Sequence, residues 1–358
     1  MAKSFCFQIF TSQCDDDFDA QVLSLETQLA LWMFENSLSL EMLMATRVYL
    51  SDAANQLESF KQSELYLNVL SKGAVSYIEQ PLLNGSKVAL QLWYVTEGAI
   101  EKEGTPDCLK VKVDQITYLF QSVRFQAAEV KGWTADEQTA EAFRRHIDTL
   151  SSLHLNLEQH CHRTWLYVRD IDRHYSEVVT ARNRVFAEQG LTAESHYISS
   201  TGIGGYGDNS EAIIGVDFFS VDGLSRDQVK YLHALDYLNP THEYGVAFER
   251  GTQLVLPREE LFMISGTASI DKYGECLHRG DVLTQTGRLF LNIEKLLEDG
   301  GTSLSAIQYM IVYLRDISDY QKVNAYLHFR FPHTPFLITE ARVCRPEWLI
   351  EIECMAVK

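Results

Sequence analysis

Apolar residues recur along this chain with two periods, and the points where one period gives way to the other mark its elements. Towards the C-terminal end, Leu261-Phe262-Met263-Ile264 is a short continuous apolar run that reads as a strand leading into Ser265-Gly266-Thr267. Val282, Leu289, Ile293 and Leu296 then fall at helical spacing within residues 281–297. Gly300-Gly301 ends that helix with the residue type that most readily takes a left-handed backbone. A strand over 309–314, a helix over 320–329, a loop containing Pro332 and Pro335, and a strand over 349–357 complete the stretch. The order is β-hairpin, α, β, α, β.

The same order is read twice more upstream. Residues 111–123 and 125–130 would form a hairpin, and Thr134 with Glu137 makes a capping box for a helix running to about residue 150. A strand over 165–168, a helix over 175–186 and a closing strand over 211–221 follow. Before them come a strand over 5–10, a helix over 19–35, a strand over 44–50, a helix over 55–70 and a strand over 87–95. Residues 96–107 and 222–241 read as linkers. One signature recurs in all three stretches: Val48-Tyr49-Leu50-Ser51-Asp52, Leu166-Tyr167-Val168-Arg169-Asp170 and Val312-Tyr313-Leu314-Arg315-Asp316. Recurrence of one supersecondary unit points to triplication. The expectation is an α/β (α+β) chain of three consecutive β-hairpin-α-β-α-β units, at 1–97, 108–222 and 242–358. Their sheets, joined edge to edge, would close a pseudo-trimeric barrel with helices outside, remove exposed strand edges and leave pockets where units meet.

Composition narrows the function classes. With 358 residues, 46% hydrophobic and 22% charged, the chain has the balance of a globular protein, and no apolar run approaches the ~18 residues of a spanning helix. The N-terminal stretch is no signal peptide, so a cytoplasmic location is expected. A formal net charge of −18 argues against nucleic acid, whose phosphates demand lysine and arginine. The seven cysteines are scattered without CxxC spacing and read as reduced, buried residues.

Ile264-Ser265-Gly266, the helix that follows, Val312–Asp316, Val323-Asn324 and the terminal run Ile350-Glu351-Ile352-Glu353-Cys354-Met355-Ala356-Val357 resemble the Rid/YjgF family. The resemblance spans the third unit and the other two in outline, and implies a chorismate-mutase-like fold for each. Further segments resemble the chorismatase branch, whose members release pyruvate from chorismate. These are Ser265-Gly266-Thr267-Ala268-Ser269-Ile270, Gly280-Asp281-Val282, Gln285-Thr286, Phe248-x-Arg250, Tyr175-x-x-Val178-x-x-x-Arg182-x-x-x-Phe186, Thr201-Gly202-Ile203-Gly204 and Val343-Cys344-Arg345. Two departures stand out. The Pro-Ala-Arg-Ser segment of Rid imine deaminases, whose arginine holds a substrate carboxylate, reads Pro335-Phe336-Leu337-Ile338 here. An additional unit also precedes the two Rid-like domains that the branch implies.

Glu351 is the candidate catalytic residue. It lies in an apolar strand with its side chain opposite Ile350 and Ile352, so it would face a pocket whose desolvation raises its pKa into the range of a general acid. Arg182, Arg250 and Arg345 are the candidate carboxylate ligands, because the guanidinium fork matches a carboxylate bidentately. Thr201, Gly202 and Gly204 would offer backbone N–H groups to a carboxylate or hydroxyl. The resemblance adds Cys344, seven residues before Glu351, and Tyr244 to the substrate-binding set. His160 and His162 would share one face of a strand, but no further metal ligand stands at a recognised spacing, so no metal and no cofactor is expected. The implied activity is release of pyruvate from chorismate, giving a dihydroxycyclohexadiene carboxylate or a hydroxybenzoate. The alternatives are a non-catalytic small-molecule-binding protein and an imine or enamine hydrolase without the usual arginine. The expected partner is a small carboxylate substrate, not nucleic acid or membrane, and the chain would be a monomer or a homo-oligomer.

Overall fold

Sixteen strands and eight α-helices are arranged in three sheets in the computed structural model, which describes residues 4–12 and 16–358, the Tyr244 side chain excepted. The first sheet comes from β1 (Phe5–Thr11), α1 (Phe18–Glu35), β2 (Leu43–Leu50), α2 (Ala53–Gln62), β3 (Ala74–Glu79) and β4 (Val88–Val95), in strand order β1-β4-β2-β3. The second comprises β5 (Ile100–Thr105), β6 (Cys108–Val113), β7 (Ile116–Val123), short α3 (Ala127–Val130), α4 (Ala135–Ser152), short α5 (Leu157–His160), β8 (Cys161–Val168), α6 (Ile171–Glu188), β9 (Ser199–Gly204) and β10 (Ile214–Asp222). Its order is β5-β6-β7-β10-β8-β9. The third contains β11 (Val229–Tyr231), β12 (Gly251–Val255), β13 (Glu260–Thr267), α7 (Val282–Asp299), β14 (Ile307–Leu314), α8 (Tyr320–Arg330), β15 (Phe336–Glu340) and β16 (Ile350–Val357), ordered β11-β12-β13-β16-β14-β15.

The three sheets repeat one four-stranded core, with β7-β10-β8-β9 and β13-β16-β14-β15 matching β1-β4-β2-β3. The middle strand of each is crossed by a helix into a short parallel neighbour: β2 to β3, β8 to β9, β14 to β15. This neighbour corrects the expected unit, which becomes β-α-β-α-β-β with two added strands, β5-β6 and β11-β12, in the second and third sheets. Pro332 and Pro335 just ahead make Phe336–Glu340 look like loop in the sequence, and the glycines and serines of Ser199–Gly204 do the same there, yet both are strands. The second hairpin also turns elsewhere than expected. It reverses at Asp114, whose φ of 54° is left-handed, so β6 and β7 pair on either side of it, and residues 125–130 hold the short α3 instead of a strand. The predicted linker 96–107 contains β5, an edge strand whose Glu101, Lys102 and Glu103 disguise it. The predicted helix 55–70 stops at Gln62 and gives way to a π-turn over Leu65–Val69.

Helix starts follow local chemistry. Asp17 accepts from the Ala20 N–H, Thr134 and Glu137 form the expected capping box, and Asp281 accepts from Thr284 N–H. Each sheet packs helices on one face and turns the other towards a shared interior. Aromatic residues from different units meet there: Phe7 with Tyr309 at 5.5 Å and Trp93 with Phe219 at 5.3 Å between ring centroids. Backbone hydrogen bonds stitch all three seams. Glu79 and Tyr206 exchange two, Glu249 N–H donates to Ile198 O at 3.1 Å, and Leu83 N–H donates to Ile338 O at 3.1 Å. No helix among the described residues is long and apolar enough to cross a membrane. The six described cysteines are free thiols, and Cys14 lies outside the described residues.

Candidate active site

The seam between the second and third units holds a cavity of about 220 Å³. β16 supplies Glu351. Strand alternation turns Glu351 and Glu353 to the interior side, while Ile350 and Ile352 pack in the apolar core. α6 supplies Tyr175 and Arg182, seven residues and two turns apart on one helix face. Arg182 is 2% exposed, so its position in mid-helix is a buried one and not on the solvated face. Phe248 and Arg250 enter from the segment before β12, Gly266 and Ala268 from the end of β13, and Cys344, Arg345 and Trp348 from the loop before β16.

Each arginine is braced from behind. Arg250 donates to Asn239 O at 3.2 Å, Arg345 donates to Gly274 O at 3.0 Å and lies 4.8 Å from the Trp348 ring centroid, and Arg182 stands 5.9 Å from that of Phe186. Three cations therefore converge with one carboxyl. Burial pushes the Glu351 carboxyl up to about 8 and the nearby charge of Glu353 adds to this, against the opposing pull of Arg163 and Arg250. Glu351 thus carries its proton at neutral pH. Cys344 is a thiol and not a thiolate, since burial first and the Glu351 charge second hold it up at about 12.

Glu351, Arg182, Arg250, Arg345, Cys344 and Gly202 line one cavity. Thr201 and Gly204 are not. They lie in β9, so the anticipated nest of N–H groups is a strand ladder in which Gly204 N–H donates to Arg342 O at 2.8 Å. Thr201 points its hydroxyl behind the cavity, towards Glu353. Tyr244 ends a short turn over Thr241–Tyr244, and its side chain lies outside what the structure describes. Tyr175, Gly266 and Trp348 line the cavity without being among the candidate site residues, although Tyr175 and Gly266 stand in the segments that carry the resemblance.

Strand register also aligns the three copies at this position. Glu351 stands opposite Tyr313, Gly215 opposite Tyr167 and Ala89 opposite Tyr49. The carboxyl of Glu351 is therefore peculiar to the third copy, whereas Glu353, Asp217 and Gln91 share the neighbouring inward position. The missing family arginine belongs to this register too. Leu337 pairs with Ile311 and Thr201 with Trp165, which occupy equivalent places, and the strand bordering the cavity is β9. The residue at the arginine's place in this site is Thr201, while Pro335–Ile338 belongs to the seam with the first unit.

Residues 247–358 match the family model described as Endoribonuclease L-PSP. A RutC family protein of Pyrococcus horikoshii is 36% identical over 122 residues, which are 33% of this chain and 90% of that protein. The 3-aminoacrylate deaminase RutC of Acinetobacter baylyi is 29% identical over 104 residues, 27% of this chain and 79% of the relative. Among solved structures, a chorismatase shares 18% identity with a TM-score of 0.68, covering 88% of this chain and 93% of its own, so the likeness in fold extends over all three units. The repeated core and these matches together show that the chain belongs to the Endoribonuclease L-PSP family, the Rid/YjgF superfamily, with the architecture of its chorismatase branch.

Proposed function

We propose that this protein is a chorismatase-like enzyme that releases pyruvate from a cyclic dicarboxylate bearing an enolpyruvyl ether. The observation that carries this reading is one buried carboxyl, Glu351, facing a cavity ringed by Arg182, Arg250 and Arg345, where burial favours its acid form. Two carboxylates of a chorismate-like diacid would be paired by the arginines, each a charge-assisted contact in a desolvated site. Fixing both ends of the substrate lays the enolpyruvyl group against Glu351.

Glu351 gives its proton to the terminal methylene carbon, and the C=C electron pair forms the new C–H bond. The ether oxygen then stabilises an oxocarbenium ion. Water adds to that carbon and loses a proton back to Glu351. The resulting hemiketal breaks the bond between its central carbon and the ether oxygen, its hydroxyl proton passes to that oxygen, and pyruvate and the ring alcohol leave, with one water consumed. Capture by a ring hydroxyl in place of water opens the route to a hydroxybenzoate, the outcome with which the resemblance at Cys344 associates this chain. The 3-aminoacrylate deaminase relative suggests imine hydrolysis as a rival, but Thr201 at the place of that family's carboxylate-holding arginine disfavours it.

Pyruvate release from chorismate, followed with a coupled lactate dehydrogenase assay and no added metal, tests the proposal. Glu351→Gln keeps the shape of the side chain but has no acidic proton, so kcat should fall roughly 10²–10⁴-fold with KM little changed. Undiminished release by Glu351→Gln would remove this acid from the mechanism. Saturable binding of chorismate without pyruvate would favour a binding protein.

A further inference from the structure

Behind the cavity, all three units meet at a single carboxylate. Glu353 of the third unit accepts from Arg163 Nη2 at 2.7 Å, Trp165 Nε1 at 2.9 Å and the Thr201 hydroxyl at 2.5 Å, all from the second unit. From the first unit, Arg47 approaches it to 3.6 Å, with its guanidinium 4.2 Å from the Trp165 ring centroid and its Nε 3.4 Å from Asp217. Thr201 does one more thing: its oxygen accepts from Gly266 N–H at 3.0 Å. Gly266 in turn lies against Glu351, so closely that a Cβ added to it would stand 2.0 Å from Glu351 Oε1. A continuous set of contacts therefore runs from Arg47 through Glu353, Thr201 and Gly266 to the Glu351 carboxyl, every member except Gly266 at least nine-tenths buried.

The geometry points to Thr201 as a positioning residue for the Glu351 acid, and to Arg47 as the means by which the first unit, which adds no residue to the cavity, takes part in setting that acid. This rests on the reading of Glu351 as the proton donor. The Thr201 hydroxyl fixes the backbone against which the Glu351 carboxyl lies, and it shares the Glu353 charge with the two arginines. Glu351 is also faced by Arg163 on β8, Tyr313 on β14, and Tyr175 and Arg182 on α6. Arg250 before β12 and Cys344 and Arg345 before β16 complete its charged and titratable surroundings. Thr201 touches Arg163 and Glu353 directly, and Arg47 reaches Glu353.

Thr201→Val is isosteric and removes only the hydroxyl. It should lower kcat roughly 10–100-fold with KM nearly unchanged, and Thr201→Ser should restore kcat to within about threefold of wild type. Arg47→Gln takes a cation away from Glu353 and leaves its charge less screened. The proton on Glu351 is then held more tightly, so the alkaline limb of kcat should move up by about half to one pH unit. The infrared stretch of the protonated Glu351 carboxyl, identified by its loss in Glu351→Gln, reports the same midpoint without turnover. It should also rise in Thr201→Val, a variant that keeps the packing should Arg47→Gln fail to fold. Wild-type kcat in Thr201→Val, or an unmoved infrared midpoint in the folded variants, would overturn the inference. If Glu351→Gln itself turns over normally, the acid reading fails, and the infrared midpoint still decides whether this network sets the Glu351 proton.

Discussion

At the scale of single residues, Glu351 couples function to stability. An unfolded glutamate titrates near ~4.3, whereas burial and the Glu353 charge hold the folded carboxyl up at about 8. Between those values the folded chain keeps a proton that the unfolded chain has released. The stability associated with this group is therefore complete below the lower value, declines as pH rises through the window and levels off above the upper one. Glu351→Gln stays neutral throughout and escapes the decline. In urea unfolding, the variant should gain on wild type between pH 5 and pH 8, by about 2–4 kcal/mol at the alkaline end. A constant difference across that range would mean that Glu351 is ionised in the folded state. With Glu351 as the proposed proton donor, the acid form is lost above its midpoint, and kcat should fall as pH rises through about 8.

At the scale of elements, the site depends on an irregularity in β13. Pairing with β16 runs regularly from Leu261 to Ile264 and resumes at Thr267, so the register shifts in between. That shift frees Gly266 N–H to reach across the seam to Thr201 and brings its Cα against the Glu351 carboxyl. The φ of Gly266 does not lie in the left-handed range, so alanine is tolerated by the backbone; the Glu351 carboxyl must move, and Thr201 Cγ2, 3.1 Å from the added Cβ, must give by a few tenths of an ångström. Gly266→Ala should therefore lower kcat roughly 10²-fold with a thermal midpoint within a few degrees of wild type. Equal loss of fold and activity would show that the position matters for packing alone. The bulge was not legible in the sequence, because Ser265-Gly266-Thr267 reads equally well as a strand end. The long helices were legible: Asp17, Thr134 and Asp281 cap α1, α4 and α7, and α6, which has no side-chain cap, shows itself by its apolar face. The short parallel strands were not: β9 and β15 have five or six residues each and are defined by pairing with β8 and β14, not by any pattern of their own.

At the scale of the whole molecule, three seams have diverged around one interior. The seam between the first and second units has Gly215 where Glu351 would stand, and the Arg124 side chain lies over it, its Cδ 3.0 Å from where a Cβ would be. Arg124 donates to Tyr77 O at 2.8 Å and lies 2.9 Å from Asp217, so a cation fills the place that corresponds to the Glu351 carboxyl. Backbone hydrogen bonds at all three seams satisfy the strand edges within one chain, and no second copy is needed to complete the ring. Light scattering at micromolar concentration should give a particle near the 40.9 kDa of one chain. A stable particle of three times that mass would show that the units exchange partners between chains.

The amino-acid sequence by itself determined the triplication, the helices and the residue types at stake, because periodicity, caps and repeated signatures are local properties of the chain. It also singled out Glu351 and the three arginines, through strand alternation and family likeness. Only the tertiary structure decided that Thr201 faces the core while Gly202 beside it faces the cavity, and that the arginine missing from the family pattern must be sought at β9 and not β15. Both depend on which strand of which unit borders a seam. That pairing joins Thr201 to Glu353, 152 residues away, and no local pattern in the chain encodes it.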